Sequence, residues 1–404
     1  MLAREIVASD RYYSELVLRI LFVCRSLPFH SVGGMELVVW DLARALQGRG
    51  HDVEILTTKC MALPERSVQG GITVRALDVP SGRYSRAWWR QSVAVFEADY
   101  RRRVDVVMGA GRATNAIARH REPGGPPLVL QIHGTMWSLL VANLLDARPN
   151  SWAKAAMDLR DVVQDRALAS HDHLVAIGPA VERRMTSAPM SWLARGVPVT
   201  LIPNGVDERL FAFDSQARAR LRAEVGVPED GHLLVSVGRL HPHKGVQQAL
   251  DGFAQALRTD PGLHLAIIGD GPAKGQLRES ATRSGIGPVT HFVDAVPRQE
   301  LAAWLSAGDA LLFSPIRPEG LGMVALEAAA CGLPTILSKF AVIPGVPSIP
   351  IDPHDPSDVA RSIAAALAAP CSNRRCRLPA PYSFDMWAEQ YERLFKTLSS
   401  VARR

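Results

Sequence analysis

The sequence predicts an α/β protein with two domains, each built around a doubly wound parallel β-sheet. Its 404 residues are enough for two domains of ordinary size. Apolar runs of strand length alternate with stretches of helical periodicity, which is the pattern of repeated βα units. The alternation starts again in the second half of the chain, after Pro203, Asn204 and Gly205 interrupt regular structure.

Ten apolar runs predict the strands, five in each half of the chain, and the first is followed by a helix predicted over 35–50. We expect Rossmann-like domains at 1–205 and 206–382. Residues 383–404 begin with an amphipathic segment, SFDMWAEQYERLFKTL, a helix that can pack back on the first domain. The predicted strands span 18–23, 52–58, 104–111, 127–134, 171–179, 232–240, 263–272, 289–297, 310–315 and 334–338.

The composition narrows the protein class. No apolar run reaches the roughly 18 residues of a membrane span, and the N-terminal MLAREIVASDRYYSEL lacks the apolar core of a secretory signal. We therefore predict a cytoplasmic protein. The net charge of +6 is compatible with anionic partners, but the favoured interpretation is a surface preference for arginine that comes from a GC-rich genome. Two anionic partners stay open: a phosphate-bearing substrate and, by peripheral contact, an anionic inner membrane face. Nucleic acid is not predicted as a partner. The oligomeric state also stays open.

Two segments, 84–103 and 183–196, mix aromatic residues with arginines. Such a mixture is compatible with contact to a membrane surface. The favoured interpretation is a stripe of aromatic residues that faces the core, with the basic residues in solvent.

Glycine-bearing turns follow the predicted strands at their carboxyl ends, where open α/β sheets bind ligands. Glycine lets a ligand approach the backbone, and a helix that starts there offers N–H groups and a positive dipole end to an anion. The turns are Gly33-Gly34, His133-Gly134, Gly238-Arg239, Gly269-Asp270-Gly271 and Gly320-Leu321-Gly322.

The most informative motif is PEGLGMVALE, in which Glu319 and Glu327 stand eight positions apart around the last of these turns. The turn suits a phosphate, whereas carboxylates repel phosphate and accept hydrogen bonds from hydroxyl groups. A ligand with phosphate in its middle and hydroxyls at both ends is a sugar nucleotide. The alternative is an ordinary helix start with one exposed and one solvated acid.

Three more side chains are candidates at the same sheet edges. Arg239 and Lys244 flank a loop and suit a diphosphate, unless they are exposed surface cations. His133 follows a predicted strand, and it either donates a hydrogen bond to a substrate or holds a neighbouring loop. The chain lacks a complete dinucleotide fingerprint, a P-loop and the HExxH motif, and no metal site is predicted.

Taken in series, these motifs resemble the retaining glycosyltransferases of family 4, whose GT-B fold has two Rossmann-like domains facing across a cleft. The resemblance covers most of the chain, because the Gly-Gly pair, the His-Gly pair, IPNGVD, VGRL with a later KG, IGDGP and E-x7-E occur in the family's order. It implies transfer of a sugar from a nucleoside diphosphate sugar to an acceptor hydroxyl. It also implies front-face displacement without a metal or another cofactor.

The resemblance further implies a role for each candidate residue. Glu319 would hold hydroxyls of the donor sugar, and Glu327 would bind the ribose hydroxyls. Gly34 would lie beside the diphosphate and the transferred sugar, which His133 would also contact. The first domain would bind the acceptor and the second the donor. Four groups would bind the diphosphate: the side chains of Arg239 and Lys244 and the N–H groups of Leu321 and Gly322.

Two positions depart from the family's pattern. Asp294 stands where a glycine is common near the nucleotide base, and the segment after Ser338 is shorter than usual and lacks a Pro-Glu pair. The donor sugar, its base and the acceptor (a glycan, a lipid-linked intermediate or a small metabolite) stay open. Two alternatives to a transferase also stay open: a sugar-nucleotide epimerase on the same fold, and a non-catalytic protein that binds nucleotide sugars.

Overall fold

Two β-sheets organise the chain, and each lies in its own unit of this computed structural model. The structure describes residues 16–30, 33–134, 137, 140–141, 162–368 and 375–402. One unit comprises Met1–Asn204 with Trp387–Arg404, and the other comprises Gly205–Met386. Residues 1–15, which carry the argument against a secretory signal, lie outside the described part of the chain.

An eight-stranded sheet forms the centre of the first unit. Its strands are β1 Arg19–Val23, β2 Asp52–Thr58, β3 Arg66–Gln69, β4 Ile72–Leu77, β5 Val106–Ala110, β6 Leu128–Ile132, β7 His173–Ala176 and β8 Val199–Leu201. They are arranged in the order β3-β4-β2-β1-β5-β6-β7-β8. The central strands β1 and β5 pair in parallel, and the chain winds outward from them in both directions. The first sheet therefore reverses between β1 and β5.

Burial explains why the sequence predicts β5, β6 and β7 but not β3. Every residue of β5, β6 and β7 is buried, as in sheets that are covered on both faces, so these strands are continuous apolar runs. Strand β3 alternates between exposed and half-buried residues and gives no such run. It pairs antiparallel with β4 at the sheet edge, and it thereby departs from the parallel pairing of the other strands in this sheet.

A six-stranded sheet, parallel throughout, forms the centre of the second unit. Its strands are β9 His232–Val237, β10 Leu263–Ile268, β11 Thr290–Val293, β12 Ala310–Phe313, β13 Thr335–Ser338 and β14 Ile349–Ile351. Their order is β11-β10-β9-β12-β13-β14, which reverses between β9 and β12. The sequence does not predict β14, because its three residues are too few for a pattern. The predicted fold class, two α/β units with doubly wound sheets, is confirmed.

Twelve α-helices are described alongside the sheets in the ranges given above. In the first unit they are α1 Gly34–Gly48, α2 Arg86–Val95, α3 Asn115–His120, α4 Pro179–Thr186 and α5 Met190–Ala194. In the second they are α6 Ser215–Glu224, α7 Val246–Ala256, α8 Lys274–Arg283, α9 Arg298–Ala307, α10 Met323–Ala330 and α11 Pro356–Leu367. The last helix is α12 Phe384–Ala402. Helical segments of other types are the π-helix Phe96–Tyr100 and the 3₁₀-helices Val163–Ser170, Pro242–Lys244, Gly287–Val289 and Ala380–Tyr382.

Helix α12 packs with the first unit from Trp387 onward. Three of its aromatic residues, Trp387, Tyr391 and Phe395, are completely buried along one face. Gln131, at the end of β6, donates a hydrogen bond from Nε2 to the Tyr391 hydroxyl at 2.7 Å. A buried polar pair of this kind fixes the position of the helix more sharply than apolar contact alone, because leaving either group unpaired would be costly.

The aromatic residues of the two arginine-rich segments have different environments. Within 84–103, Trp88, Phe96 and Tyr100 are completely buried, which confirms a core-facing stripe there. Trp192 in α5 is 74% exposed, so the same expectation is wrong for 183–196. Met190 and Ala194, four residues apart, are the buried face of this five-residue helix, and Trp192 between them faces away. None of the described helices combines the length and apolar character needed to cross a bilayer.

Buried His171 makes the stability of the first unit depend on pH. Its Nδ1–H donates to the carbonyl of Ala167 at 2.9 Å, and the Thr114 hydroxyl lies 3.0 Å from Nε2. Burial lowers the pKa of His171 from 6.5 to about 4. The folded protein therefore keeps this ring neutral at pH values at which the unfolded chain binds a proton.

We expect the free energy of unfolding to fall as the pH drops from 6.5 towards 4, with His171 contributing up to about 1.4 kcal/mol per pH unit. Urea unfolding between neutral pH and pH 5 measures the slope. His171→Gln removes the ionisable group and should flatten the slope, even if the variant is less stable at neutral pH. An unchanged slope in the variant would contradict the assignment.

Candidate functional site

The candidate site of the second unit lies where its sheet reverses. Strands β9 and β12 pair side by side there, and the carboxyl ends of such strands are where open α/β sheets bind ligands. The loop after β9 carries Arg239 and Lys244, and the chain after β12 carries Glu319 and the glycine turn that starts α10. The fold thus brings Lys244 next to Glu319 although 75 positions separate them in sequence.

Lys244 and Glu319 form an ion pair. The Nζ of Lys244 donates to Oε1 of Glu319 at 2.7 Å, and it also lies 6.0 Å from the centre of the Phe313 ring. The two side chains are 32% and 21% exposed, so both remain within reach of a ligand. A phosphate that approached Lys244 would compete for this ammonium group, and a hydroxyl could hydrogen-bond to the carboxylate.

A close backbone contact sets the distance between the two loops. Gly245 has a φ of +68°, and a Cβ at this position would lie 1.8 Å from the carbonyl oxygen of Ser314. The Ser314 hydroxyl donates to the Gly245 carbonyl at 2.7 Å, and the Ile316 amide donates to the His243 carbonyl at 3.1 Å. The neighbouring Lys244 is therefore placed by backbone contacts rather than by its own side chain.

The segment after Ser338 supports the glutamate turn despite its short length. The backbone N–H of Glu319 donates to the Phe340 carbonyl at 3.1 Å. A Cβ on Gly322, which precedes α10, would lie 3.2 Å from a ring carbon of Phe313 and 3.9 Å from Ile343. Gly320 and Leu321 are half-buried in the same turn. Although it is shorter than in the family's pattern, the segment after Ser338 thus still packs against the turn.

Glu327 is buried on α10, where it is 7% exposed. Arg298, the first residue of α9, places Nη2 3.5 Å from Oε1 of Glu327 and its guanidinium carbon 5.2 Å from the centre of the Phe211 ring. The carboxylate is therefore charge-compensated, as a buried acid must be. The sequence analysis missed Arg298, because no local pattern links it to an acid 29 positions later.

The remaining candidates of this unit lie around the same edge. A Cβ on Gly269 would lie 2.0 Å from the Gly238 carbonyl oxygen, and one on Gly271 would lie 2.4 Å from that of Leu240. Because neither glycine has a Cβ, the loops after β9 and β10 can come into contact. Arg239 is exposed in the first of these loops.

Asp294, which stands where the family's pattern commonly has a glycine, has an ionic partner. Lys274, at the start of α8, pairs with the exposed carboxylate of Asp294. This hydrogen bond and the charge of the ammonium group lower the pKa of Asp294. In the described ranges, no group of three or more His, Cys, Asp or Glu side chains is arranged to hold a metal ion.

In the first unit, the predicted glycine pair begins α1. A Cβ on Gly33 would lie 2.4 Å from Oε2 of Glu36, whose other oxygen accepts a hydrogen bond from the Ser26 hydroxyl at 2.6 Å. Gly33 therefore leaves room for the glutamate side chain. No described atom lies within 4 Å of a Cβ placed on Gly34, so this residue leaves space for a ligand at the helix start.

His133 is held in one tautomer by its neighbours. Its Nε2 lies 2.7 Å from Oε1 of Gln131, an acceptor, while the amide of Gln131 donates to Tyr391. The proton of the imidazole therefore sits on Nε2, and Nδ1 is an acceptor. Burial lowers the pKa of His133 to about 4, so the ring is neutral at physiological pH. In this arrangement it can accept a hydrogen bond from a sugar hydroxyl at Nδ1, whereas Nε2 is committed to Gln131.

The chain matches two family models that together span both units. Residues 32–210 match the model described as Glycosyltransferase Family 4, and residues 217–379 match Glycosyl transferases group 1. A D-inositol 3-phosphate glycosyltransferase of Kribbella flavida is 31% identical over 375 residues, which cover 84% of this chain and 83% of the relative. The chain belongs to glycosyltransferase family 4. The prediction of a glycosyltransferase is thereby confirmed.

Solved structures agree with the GT-B fold of this family-4 glycosyltransferase. Sucrose-phosphate synthase from Thermosynechococcus elongatus superposes with a TM-score of 0.75 at 21% identity, covering 95% of this chain and all (100%) of that one. The Anabaena protein HepE in complex with UDP-glucose gives 0.67 at 19% identity, with 96% and 98% covered. The roles of individual residues in this glycosyltransferase stay predictions.

Gly245→Ala tests the loop contact of the glycosyltransferase. Gly285→Ala is a matched control, because its φ is +73° and no described atom lies within 4 Å of an added Cβ. The control should cost about 1 kcal/mol of unfolding free energy from backbone strain alone. Gly245→Ala should cost a further 1–3 kcal/mol or so, because the carbonyl of Ser314 must move. Denaturant unfolding measures both, and equal losses would contradict the constraint.

Proposed function

We propose that this protein is a retaining glycosyltransferase that moves a sugar from a nucleoside diphosphate sugar to an acceptor hydroxyl without a metal ion. The observation that carries the proposal is the Lys244–Glu319 ion pair beside the glycine turn of α10. It places a cation, a carboxylate and a helix start at the sheet's switch point. The UDP-glucose complex of the structurally similar HepE agrees with such a donor.

The diphosphate of the donor would bind to the cationic side of this site. Lys244 and the exposed Arg239 supply two positive charges, and the N–H groups of Leu321 and Gly322 at the start of α10 add hydrogen bonds and the positive helix end. The charge that develops on the leaving diphosphate in the transition state is then stabilised by fixed protein groups. This arrangement gives the site a means of activating the leaving group without a divalent cation.

The reacting sugar would lie between Glu319 and the leaving phosphate. In front-face displacement, the bond from the anomeric carbon to the phosphate oxygen breaks while the acceptor oxygen bonds to the same face. The acceptor's proton passes to the leaving phosphate oxygen, so no protein nucleophile is required. Glu319 would accept hydrogen bonds from sugar hydroxyls. In the first unit, the Nδ1 of His133 would accept a hydrogen bond from a hydroxyl of a bound ligand. The first unit would bind the acceptor.

The nucleoside would be held by Glu327. A carboxylate buried at the end of the site and compensated by Arg298 at 3.5 Å is suited to accept the two hydroxyls of a ribose. Arg298 would keep the acid charged and oriented, as a positioning residue. Asp294 follows β11, and its partner Lys274 starts α8 beyond the carboxyl end of β10. Both lie on the side of the sheet where the family resemblance places the base.

A thermal-shift panel of UDP, GDP, ADP, dTDP and their sugar conjugates, with EDTA present, tests donor binding. One nucleotide family at about 100 times its Kd should stabilise the protein by about 2.7 kcal/mol. Glu327→Gln should lose this shift, because it removes the charged acceptor for the ribose. Glu279→Gln, an exposed acid of the same unit, is the control that should keep it. No shift with any nucleotide would contradict the donor site.

A transfer assay tests the chemistry. Glu319→Gln, Lys244→Ala and Arg239→Ala should each lower turnover at least about 100-fold, the scale of losing one charge-stabilising group. Lys339→Ala is the control, since this lysine is half exposed and pairs with Asp352 instead. Near-normal turnover in any of the first three variants would remove that residue from the site.

The same assay reports the stereochemistry. The proton NMR coupling of the product's anomeric proton should show the configuration of the donor. An inverted product would contradict front-face displacement, and conversion of the donor sugar without any acceptor would identify an epimerase.

A further inference from the structure

Arg25, Tyr84 and Arg112 form a cluster that the proposed donor site does not use. Arg25 follows β1 and Arg112 follows β5, and these two strands are the adjacent pair at which the first sheet reverses. Tyr84 lies in the loop between β4 and α2. The cluster therefore occupies the ligand-binding edge of the first sheet, and all of its residues belong to the first unit.

Both guanidinium groups lie against the same aromatic ring. Their central carbons are 6.0 Å (Arg25) and 5.4 Å (Arg112) from the ring centre of Tyr84. The ring itself is held in place, because its hydroxyl donates to the Ala110 carbonyl at 3.2 Å and its face stacks on Trp89 at 5.1 Å. A rigid ring thus holds two like charges together, which favours an anion near them.

The local charges leave this cluster positive. Glu36 is the nearby carboxylate, but its Oε1 is 3.8 Å from Arg25 and accepts the Ser26 hydroxyl at 2.6 Å. Arg112 donates to the neutral amide oxygen of Gln164 at 2.7 Å. Among the ion pairs of the described residues, one carboxylate therefore compensates the charge of this pair of guanidinium groups. Within the described residues, the buried Nε of Arg25 has no hydrogen-bond partner.

The start of α1 borders the cluster. A Cβ on Gly111, which has a φ of +67°, would lie 3.5 Å from the Tyr84 hydroxyl and 3.6 Å from the sulfur of Met35. Met35 is the second residue of α1, and the cap residue Gly33 has no side chain that could occupy the helix start. The positive end of a 15-residue helix therefore adds to the two arginines.

We propose that this cluster binds an anionic group, a phosphate or a carboxylate, carried by the acceptor. The inference rests on the proposed function, because it assigns the acceptor to the first unit, and it narrows the acceptor class to hydroxyl compounds that bear such a group. Arg25 and Arg112 hold the anion through charge-assisted hydrogen bonds. The anion fixes the orientation of the acceptor, so that the hydroxyl that attacks is selected by its distance from the charge.

Binding of inorganic phosphate, followed by the broadening of its phosphorus NMR line, tests the cluster in the full-length protein. Lys244→Ala serves as the background, because it weakens anion binding at the donor site. We expect Lys244→Ala to bind phosphate. Adding Arg25→Gln or Arg112→Gln should raise the apparent Kd at least about tenfold, the scale of one hydrogen bond to a charged group. Arg112→Lys should restore part of the binding, because it keeps the charge without the planar fork.

Arg102→Gln in the same background is the matched control, since Arg102 is exposed in the turn before β5, at the other edge of the sheet. It should leave the Kd for phosphate within about twofold. Loss of all phosphate binding in Lys244→Ala alone, or equal binding in the Arg112→Gln and Arg102→Gln variants, would overturn the proposal. Such a result would leave the donor assignment untouched, because that rests on the nucleotide panel.

Competition experiments with the wild-type protein identify the source of the anion. The nucleotide selected by the thermal-shift panel, at saturation, should leave phosphate bound at the cluster. Displacement of all bound phosphate, and not only of the share bound at the donor site, would show that the arginines bind the donor's diphosphate and would overturn the proposal. Glucose 6-phosphate should compete with phosphate whereas glucose should not, because the charge is what binds. Failure of the sugar phosphate to compete would assign the cluster to free phosphate instead of an acceptor.

Discussion

The contact between Gly245 and the Ser314 carbonyl is the constraint on which the candidate donor site depends. It joins the loops after two adjacent parallel strands through backbone atoms, where an added Cβ would lie 1.8 Å from the oxygen. A partly exposed ion pair such as Lys244–Glu319 contributes at most about 1 kcal/mol and could not hold two loops together. Because the backbone sets the distance, the ion pair is free to exchange partners with a ligand.

The first unit uses the same physical arrangement with different residues. Its sheet also reverses between two central parallel strands, and a helix begins beside the reversal. In the second unit a backbone contact positions the charged side chains. In the first unit the fixed ring of Tyr84 does so, because it holds Arg25 and Arg112 together. In both units, cations and a helix start converge on the carboxyl edge of a sheet. That edge is where a phosphate-bearing molecule gains most from fixed dipoles.

Two polar side chains, the buried Glu327 and the half-buried His133, are suited to hydroxyl recognition. Glu327 is nearly excluded from solvent, and Arg298 supplies the opposite charge that its burial requires. His133 is neutral because burial lowers its pKa to about 4, and Gln131 holds the proton on Nε2. Each is left as an acceptor of hydrogen bonds. The hydroxyl groups of a sugar or a ribose can donate hydrogen bonds to such acceptors, which agrees with a nucleoside diphosphate sugar as the substrate.

Local patterns in the sequence determined the fold class, most of the strands and the candidate residues. Buried parallel strands are apolar runs that can be recognised one at a time, and glycine turns mark their carboxyl ends. Strand β3 and the exposed Trp192 escaped, because a half-buried edge strand and a five-residue helix carry too little periodicity. Only the tertiary structure decided that Lys244 meets Glu319 and that Arg298 meets Glu327. Those contacts depend on strand order and loop packing, and no short stretch of sequence records which distant loops will lie side by side.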